Sequence, residues 1–325
     1  MIELVKKLNA DILPSSEKFE YLKLKISLLL IFSILVFGRC YSQAIPSEFN
    51  KTVVFIFIRD GNDSIVPNGT GFFVSKPFPN DSTKNFVYLV TAKHVIQDSK
   101  TNKFFNEIYI RINKKRSNFD TLPLKLIVPN GVTFKAEKDI DLAIIPLAPD
   151  IIKYDYEPVP EDLLFKRRSE FDSSYVKVGT NIFYCGLFSP YLGYNSNNPI
   201  VRFGRISLLP TEEILWDNAD AKQDLFLVET TTYGGNSGSP IFSYNTPFQF
   251  NGGINVGSSN VKLAGIIKGY SGEKTPVEYI KASMNLMYTS NIGITAVVPS
   301  YLLYQIIEGD NLKKLRESIL ENIKK

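Results

Sequence analysis

The sequence predicts an all-β protein, either a sandwich or a pair of barrels with about six strands in each half, and a helix at its C-terminal end. From residue 50 onward, short apolar and β-branched runs such as "KTVVFIFI", "NFVYLVTA" and "NIFYCGLF" alternate with turn residues. About a dozen such runs follow one another without helical segments between them, which is typical of sandwiches and barrels. A polar, proline-containing stretch at 150–175 separates six of these runs from the other six.

The stretch at 150–175 sets the expected boundaries of the two halves. We place the first barrel at about residues 48–150 and the second at about 175–298. The segment 300–325 has apolar residues at helical spacing, with Ser300 as a possible N-cap and Gly309 as a break. The chain has 325 residues, of which 44% are hydrophobic, so it can bury a large core.

Residues 1–44 differ in character from the rest of the chain. Lysines precede an apolar run at 26–38, and the small residues Ser42 and Ala44 follow it. A run of 13 residues is short for a membrane span, which takes about 20, but it suits the core of a secretory signal. We therefore expect export to the periplasm or the medium, with residues 45–325 as the mature domain. A membrane anchor formed by 26–38 is the alternative.

Composition argues against several classes of function. The net charge of +4 arises from 37 basic and 33 acidic residues without a long basic run, so we expect no nucleic-acid partner. The chain has one histidine and two cysteines, and Cys40 would leave with a cleaved signal. These residues are too few for a zinc site, and we expect no metal and no cofactor. Cys185 lies in an apolar run and is expected to be a buried structural thiol.

The stretch "YGGNSGSP" at 233–240 raises the possibility that Ser237 is a nucleophile. Turn chemistry alone explains its composition, because glycine supplies positive φ and Asn and Ser bond to nearby backbone. A serine attacks a carbonyl group only when a base takes its proton and another group orients that base. The function of this stretch therefore depends on what the rest of the chain supplies.

A base and a carboxylate are both available. His94, the one histidine, comes at the end of the alternating strand in "VYLVTAKHVIQ", where a side chain is held rigidly at the surface. Histidine can accept and return a proton near neutral pH. Asp141 in "EKDIDLAIIPL" precedes an apolar run that would seat its carboxylate at the rim of a core. Asp139, two residues earlier, is expected in an exposed turn.

Four motifs, "GTGFFV" from residue 69, "TAKH", "DIDLAII" and "GNSGSP", come in this order. Together they resemble the bacterial branch of the chymotrypsin-like (trypsin-like) serine peptidases, which includes HtrA protease domains and glutamyl endopeptidases. The resemblance covers about residues 48–308. It implies a fold of two six-stranded antiparallel barrels and a serine endopeptidase that acts on a protein or peptide through an acyl-enzyme. Ser237 would be the nucleophile, His94 the general base and later acid, and Asp141 the group that orients His94. The N–H groups of Gly235 and Ser237 would form the oxyanion hole.

The resemblance also implies a substrate pocket near Thr231, Thr232, Ile267 and Gly269. Thr231 stands six residues before the nucleophile, at the pocket base, and its neutral side chain argues against a preference for Lys or Arg. Glutamyl endopeptidases have a histidine where this chain has Ile267, although Lys268 could compensate. A neutral, apolar side chain of small to medium size is therefore expected at the cleavage site.

Other hydrolase folds fit the sequence less well. An α/β-hydrolase would need its histidine after the serine, and a subtilisin-like enzyme would need its aspartate before the histidine. Here the order is His94, Asp141, Ser237. Asn236, before the nucleophile, replaces the aspartate with which animal digestive members bind a newly cut N-terminal amine, so that route of activation is not expected. A catalytically silent protease fold used as a binding module remains the alternative function.

Overall fold

The structure is a computed structural model, and it describes residues 25–29 and 45–324, except 117, 129–130, 133, 137–139, 174–175, 217–220, 245–247, 250–252, 255–260 and 279–284. The chain divides into two units, Met1–Pro46 and Ser47–Lys325. In the first unit, residues 25–29 are helical and exposed, and most of the predicted signal or anchor segment lies outside the described residues. Within the described residues, no helix combines the length and apolar character needed to cross a membrane.

The N-terminal half of the second unit forms a sheet after a short helix α1 (Glu48–Lys51). The strands are β1 (Val53–Arg59), β2 (Ile65–Phe78), β3 (Asp81–Thr91), β4 (Glu107–Asn113), β5 (Phe119–Lys125), β6 (Ile127–Val128), β7 (Gly131–Val132), β8 (Lys135–Ala136), β9 (Ala143–Pro146) and β10 (Val159–Pro160). The hydrogen-bonded order of the sheet is β5-β4-β1-β2-β3-β9-β8, and β10 pairs in parallel with β2. A 3₁₀ helix, Lys93–Ile96, follows β3, and β6 and β7 form a separate hairpin.

The C-terminal half contains a closed barrel, and a 3₁₀ helix, Glu161–Leu163, and helix α2 (Arg168–Ser173) lead into it. The strands are β11 (Asn181–Gly186), β12 (Ile200–Leu208), β13 (Phe226–Glu229), β14 (Pro240–Tyr244), β15 (Phe248–Gln249), β16 (Gly253–Ile254), β17 (Val261–Glu278) and β18 (Asn285–Pro299). The barrel has the order β11-β12-β13-β18-β17-β14, and, among the described strands, β15 and β16 pair only with each other.

The predicted all-β class is confirmed, with one difference in the first half. The second half has the six-stranded closed barrel that the sequence predicts. The first half is an eight-stranded sheet, because short strands add to the longer ones. One of them comes from the stretch predicted to be only a seam, where Val159 pairs with Val74 of β2. Two-residue strands carry too little periodicity to be found in a sequence.

Each half has its own apolar cluster. Phe73, Leu89 and Ile110 are buried in the first cluster, and Ile182 and Phe226 in the second. Burying each of these side chains contributes about 2 kcal/mol, so the packing rather than a disulfide stabilises the fold.

Cys185 is a free, buried cysteine, as predicted. Burial raises the pKa of its thiol to about 12, which keeps the thiol protonated and unreactive at neutral pH.

The chain ends in two helices, α3 (Ser300–Glu308) and α4 (Asp310–Lys324), with Gly309 between them, where a break was predicted. The prediction that Ser300 caps the helix is wrong, because Pro299 occupies the N-cap position. The Ser300 hydroxyl instead accepts a hydrogen bond from the backbone N–H of Phe165 at 3.2 Å.

Helix α4 is fixed to the first sheet through Arg316. This side chain is 6% exposed, and its guanidinium donates to the Tyr88 hydroxyl of β3 at 3.2 Å and to the Ile307 carbonyl at 2.7 Å. Arg316 therefore links β3 to the end of α3.

Candidate active site

His94 and Asp141 form a hydrogen-bonded pair at the edge of the first sheet. The strand β3 ends at Thr91, and His94 lies in the following 3₁₀ helix, which presents its side chain at the surface. His94 Nδ1 lies 2.7 Å from Asp141 Oδ2, and the backbone N–H of His94 donates to Asp141 Oδ1 at 3.0 Å. The Asp141 side chain is 4% exposed, whereas that of His94 is 48% exposed. A buried carboxylate therefore holds an imidazole whose outer side faces solvent.

The Asp141 carboxylate is kept ionised despite its burial. Burial by itself raises the pKa of a carboxyl group, but the imidazole of His94 and its hydrogen bonds outweigh that effect. The ammonium of Lys268 contributes in the same direction, and the net result is a pKa of Asp141 well below its usual range.

The ionised state of Asp141 fixes the tautomer of the neutral imidazole. A carboxylate only accepts hydrogen bonds, so the proton between it and His94 lies on Nδ1. The other ring nitrogen, Nε2, then carries a free lone pair when the imidazole is neutral. This is the arrangement that a general base requires.

The Ser237 loop (residues 233–239) lies against both halves of the fold. The Ser237 hydroxyl donates to the Lys268 carbonyl of β17 at 3.0 Å. The Gly238 N–H donates to the Ile267 carbonyl at 2.8 Å, and the Ile267 N–H donates to the Ser239 carbonyl at 2.9 Å. Among the hydrogen bonds of the described residues, that of the Ser237 hydroxyl goes to β17 and not to the imidazole.

Thr70 of β2 ties the Ser237 loop to the first sheet. Its N–H donates to the Ser237 carbonyl at 2.9 Å, and its hydroxyl donates to the Gly235 carbonyl at 2.8 Å. The same hydroxyl accepts from the Leu187 N–H at 2.9 Å, and the Thr70 carbonyl accepts from the Thr91 hydroxyl at 2.7 Å. Thr70 is fully buried, so these bonds are shielded from water and fix the loop beside the end of β3.

Asn236 is held by neutral partners on every side. Its amide nitrogen donates to the Leu187 carbonyl at 2.7 Å, and its oxygen accepts from the Tyr233 N–H at 2.8 Å. The Tyr184 hydroxyl lies within hydrogen-bond distance of the same oxygen and of the Thr231 carbonyl. Burial raises the pKa of Tyr184 well above its usual range, so this hydroxyl keeps its proton and can donate. These partners of Asn236 are all uncharged groups.

Two glycines of the loop have positive φ. Gly235 has a φ of 96°, and a Cβ there would lie 2.5 Å from Leu187 Cδ2. Gly238 has a φ of 84°, and a Cβ there would lie 2.1 Å from the Thr70 carbonyl oxygen. Both positions need glycine for conformation as well as for space. The turn chemistry of the sequence therefore shapes the backbone on either side of Ser237.

Substituting Gly238 by alanine is expected to destabilise the fold by about 2–4 kcal/mol. The new Cβ would meet the backbone of Thr70, which cannot rotate away, in a conformation that alanine rarely adopts. Denaturant unfolding followed by tryptophan fluorescence would measure the change.

The matched control is Gly234→Ala, four residues earlier in the same loop. Gly234 is exposed, and a Cβ there would have no atom within 4 Å, so we expect a change within about 0.5 kcal/mol. Equal effects of the two substitutions would contradict the close approach at Gly238.

The predicted pocket residues lie in different environments. Thr231 is exposed, and Gly269 faces open space. Thr232 is buried, and its hydroxyl lies 2.8 Å from that of Thr295 on β18. Ile267 is fully buried within the apolar cluster of the second barrel. The described residues contain no cluster of three or more potential metal ligands, and Asp139 lies outside the described residues.

Sequence reasoning missed three groups around the site. Thr70 lies inside the quoted motif "GTGFFV", but nothing in that motif indicates that its side chain reaches another loop. Tyr184 gives no local signal, because it is one of many aromatic residues in the strands. Lys268 was considered only as a substrate-binding residue, yet its ammonium lies 3.3 Å from Asp141 Oδ2.

Comparison with known families shows the one to which the chain belongs. The family described as "Trypsin-like peptidase domain" matches residues 69–246, more than half of the chain. The chain belongs to the trypsin-like peptidase domain family. The matched range includes His94, Asp141 and Ser237, and the predicted resemblance to chymotrypsin-like serine peptidases is confirmed at the level of the fold. A closer relation of this peptidase domain to the HtrA or glutamyl-endopeptidase groups stays a prediction.

Solved structures similar to this trypsin-like peptidase domain have low sequence identity to it. One is the human heparin binding protein, with a TM-score of 0.44, 11% identity, and coverage of 82% of this chain and 94% of the other. Another is an atomic-resolution structure of HBP, with a TM-score of 0.44, 11% identity, and coverage of 83% and 94%. None of the curated sequences compared with the chain matches it significantly.

Proposed function

We propose that this trypsin-like peptidase domain is a serine endopeptidase with His94 as general base, Asp141 as the orienting carboxylate and Ser237 as nucleophile. The observation that carries the proposal is the buried carboxylate bonded to the imidazole at 2.7 Å, next to a loop whose glycines shape the backbone around Ser237. A structural ion pair would not need an adjoining loop of this conformation.

In the proposed first step, the Ser237 oxygen attacks the carbonyl carbon of a peptide bond. Its proton passes to His94 Nε2, while Nδ1–H continues to donate to Asp141. The imidazolium that forms is stabilised by the ionised carboxylate beside it. Rotation of the serine hydroxyl away from the Lys268 carbonyl must precede this step, and catalytic hydrogen bonds commonly tighten only when substrate binds.

The negative charge that develops on the substrate oxygen needs donors already in place. The N–H groups of Gly235 and Ser237 are proposed to supply them, because the positive φ of Gly235 turns the backbone at this point. His94 then gives its proton to the leaving amine, and an acyl ester of Ser237 remains. Water attacks the ester by the same route and releases the acid, so the enzyme is regenerated.

The substrate class follows from the residues before the nucleophile. No carboxylate stands at Thr231 or Thr232, so a positively charged side chain would find no partner there. We propose that the enzyme cleaves proteins or peptides after neutral, apolar side chains of small to medium size. Export, with anchoring by 26–38 as the alternative, is proposed from the N-terminal sequence alone.

A catalytically silent binding module is the second candidate function. The observation that favours it is the hydrogen bond from the Ser237 hydroxyl to the Lys268 carbonyl, which leaves the serine without a bond to the base. In a silent protein this bond would persist when a peptide is bound.

Hydrolysis of casein and of a mixed peptide library, followed by mass spectrometry of the cut sites, tests the proposal. We expect cuts after neutral residues, and a loss of at least about 10³-fold in rate when His94 is replaced by Ala. Absence of cleavage by the wild-type chain, both before and after removal of its N-terminal segment, would favour the binding module. Cuts confined to Lys or Arg would contradict the proposed specificity alone.

A further inference from the structure

Lys268 contacts two of the three proposed catalytic residues. Its carbonyl accepts the hydrogen bond of the Ser237 hydroxyl, and its ammonium lies 3.3 Å from Asp141 Oδ2. The residue before it on β17, Ile267, bonds the Ser237 loop through its N–H and carbonyl groups. The backbone of β17 is therefore bonded to the Ser237 loop, and the Lys268 side chain extends from the second barrel to Asp141 in the first half.

The ammonium of Lys268 and the carboxylate of Asp141 are both largely shielded from solvent, so water screens their interaction only weakly. The Lys268 side chain is 18% exposed and that of Asp141 is 4% exposed. Surface pairs are screened by water and salt, as at Lys51 and Asp155, where the side chains are 45% and 35% exposed. A pair as shielded as Lys268 and Asp141 is screened much less.

Asp141 Oδ2 is shared by two donors. The imidazole Nδ1 lies 2.7 Å from this oxygen and the ammonium lies 3.3 Å from it. With neutral His94, the carboxylate and the ammonium cancel, and the three side chains carry no net charge. When the imidazole takes a proton, the group becomes positive. The same uptake in a site with only Asp141 and His94 would neutralise the site instead.

Lys268 also acts on the Asp141 carboxylate. Its ammonium lowers the pKa of Asp141 in the same direction as His94 does. On its own 3₁₀ helix, His94 is preceded by Lys93, which is also positive. The positive charge of Lys268 therefore opposes proton uptake by the imidazole. A neutral residue at position 268 would not have this effect.

We propose that Lys268 is a positioning residue that shares Asp141 Oδ2 with His94 and whose positive charge opposes proton uptake by the imidazole. The consequence for catalysis rests on the proposed function. The acid limb of the pH-rate profile falls at a lower pH than it would with a neutral residue at position 268. The effect on the imidazole itself does not depend on catalysis.

The single histidine of the chain makes the test direct, because its ring signal in an NMR pH titration needs no assignment. In the full chain, we expect Lys268→Met to raise the titration midpoint of this signal by about one pH unit. Lys268→Gln, which removes the charge but keeps hydrogen-bond donors, should raise it similarly. Lys268→Arg, which keeps the charge, should stay within about 0.3 unit of wild type.

The matched control is Lys262→Met, which removes the same charge from the same strand. Lys262 donates to the Asp162 carbonyl and lies six residues, or about 20 Å, along β17 from Lys268, so its loss should leave the midpoint unchanged. An unchanged midpoint in a folded Lys268→Met or Lys268→Gln chain would overturn the inference, and so would an equal rise in the control.

The rate of labelling by a fluorophosphonate, measured across the same pH range, separates this inference from the proposed function. We expect its acid limb to move upward by the same amount in Lys268→Met. If wild type is never labelled but the NMR midpoint still moves, the proposed function fails and the effect of Lys268 on the imidazole stands. If wild type is labelled and neither measurement moves in the variant, the proposed function stands and the inference fails.

Discussion

Replacing Ser237 by alanine is expected to reduce peptide hydrolysis by about 10⁶-fold while the chain stays folded. The attacking oxygen is removed, and neither the Asp141–His94 pair nor the backbone bonds of the loop depend on it. The one side-chain bond that is lost goes to the Lys268 carbonyl at a half-buried position. Initial rates on a peptide identified by library profiling, with a thermal melt of each protein, would measure both effects.

Ser239→Ala is the matched control, since it makes the same change two residues away. The Ser239 hydroxyl is buried and, among the described residues, has no hydrogen-bond partner, so its removal should leave the rate within about threefold of wild type and not lower stability. If Ser237→Ala retained more than a tenth of the wild-type rate, Ser237 would not be the nucleophile.

Replacing Asp141 by asparagine is expected to lower kcat/KM by about 10⁴-fold at neutral pH, comparable to the loss when the orienting aspartate of a catalytic triad becomes asparagine. An amide can present its NH₂ group to His94, and Nδ1 would then have to accept the hydrogen bond, which leaves the proton on Nε2. The neutral amide also leaves the charge of Lys268 without its partner. Steady-state kinetics at matched pH would measure the loss.

The pH dependence of stability checks the same carboxylate without requiring activity. The pKa of Asp141 is lowered in the folded chain, so its stabilising contribution is present above the unfolded value of about 3.9 and is lost as pH falls toward the folded value. The unfolding free energy of wild type should therefore fall more steeply below about pH 4 than that of Asp141→Asn. Equal slopes, together with less than tenfold loss of activity, would contradict the role given to Asp141.

The sequence was sufficient for much of the fold and for the choice of His94, Asp141 and Ser237 as candidates. Strand runs and their order predicted the all-β class, because apolar and β-branched runs bounded by turn residues are local signals. The carboxylate before β9 was expected at the rim of a core, and Asp141 is buried there. These features could be predicted from the sequence because each depends on residues only a few positions away.

Contacts between distant segments could not be predicted in this way. Lys268 and Asp141 are 127 residues apart in the sequence, and the fold brings the ammonium within 3.3 Å of Asp141 Oδ2. The neutral side chain of Asn236 predicts no activation by a newly cut N-terminal amine, but the sequence could not identify Tyr184 as a partner 52 residues away. The rotamer of Ser237 depends on a carbonyl of another strand and is equally invisible in the sequence.

The central claim is that Ser237 is a nucleophile activated by His94. Its most direct test is to treat the full chain with a fluorophosphonate and locate the adduct by peptide mass spectrometry. We predict a single adduct on the peptide that contains Ser237, formed at least about 10³ times more slowly when His94 is replaced by Ala. No adduct at Ser237, or one formed equally fast without His94, would contradict the claim.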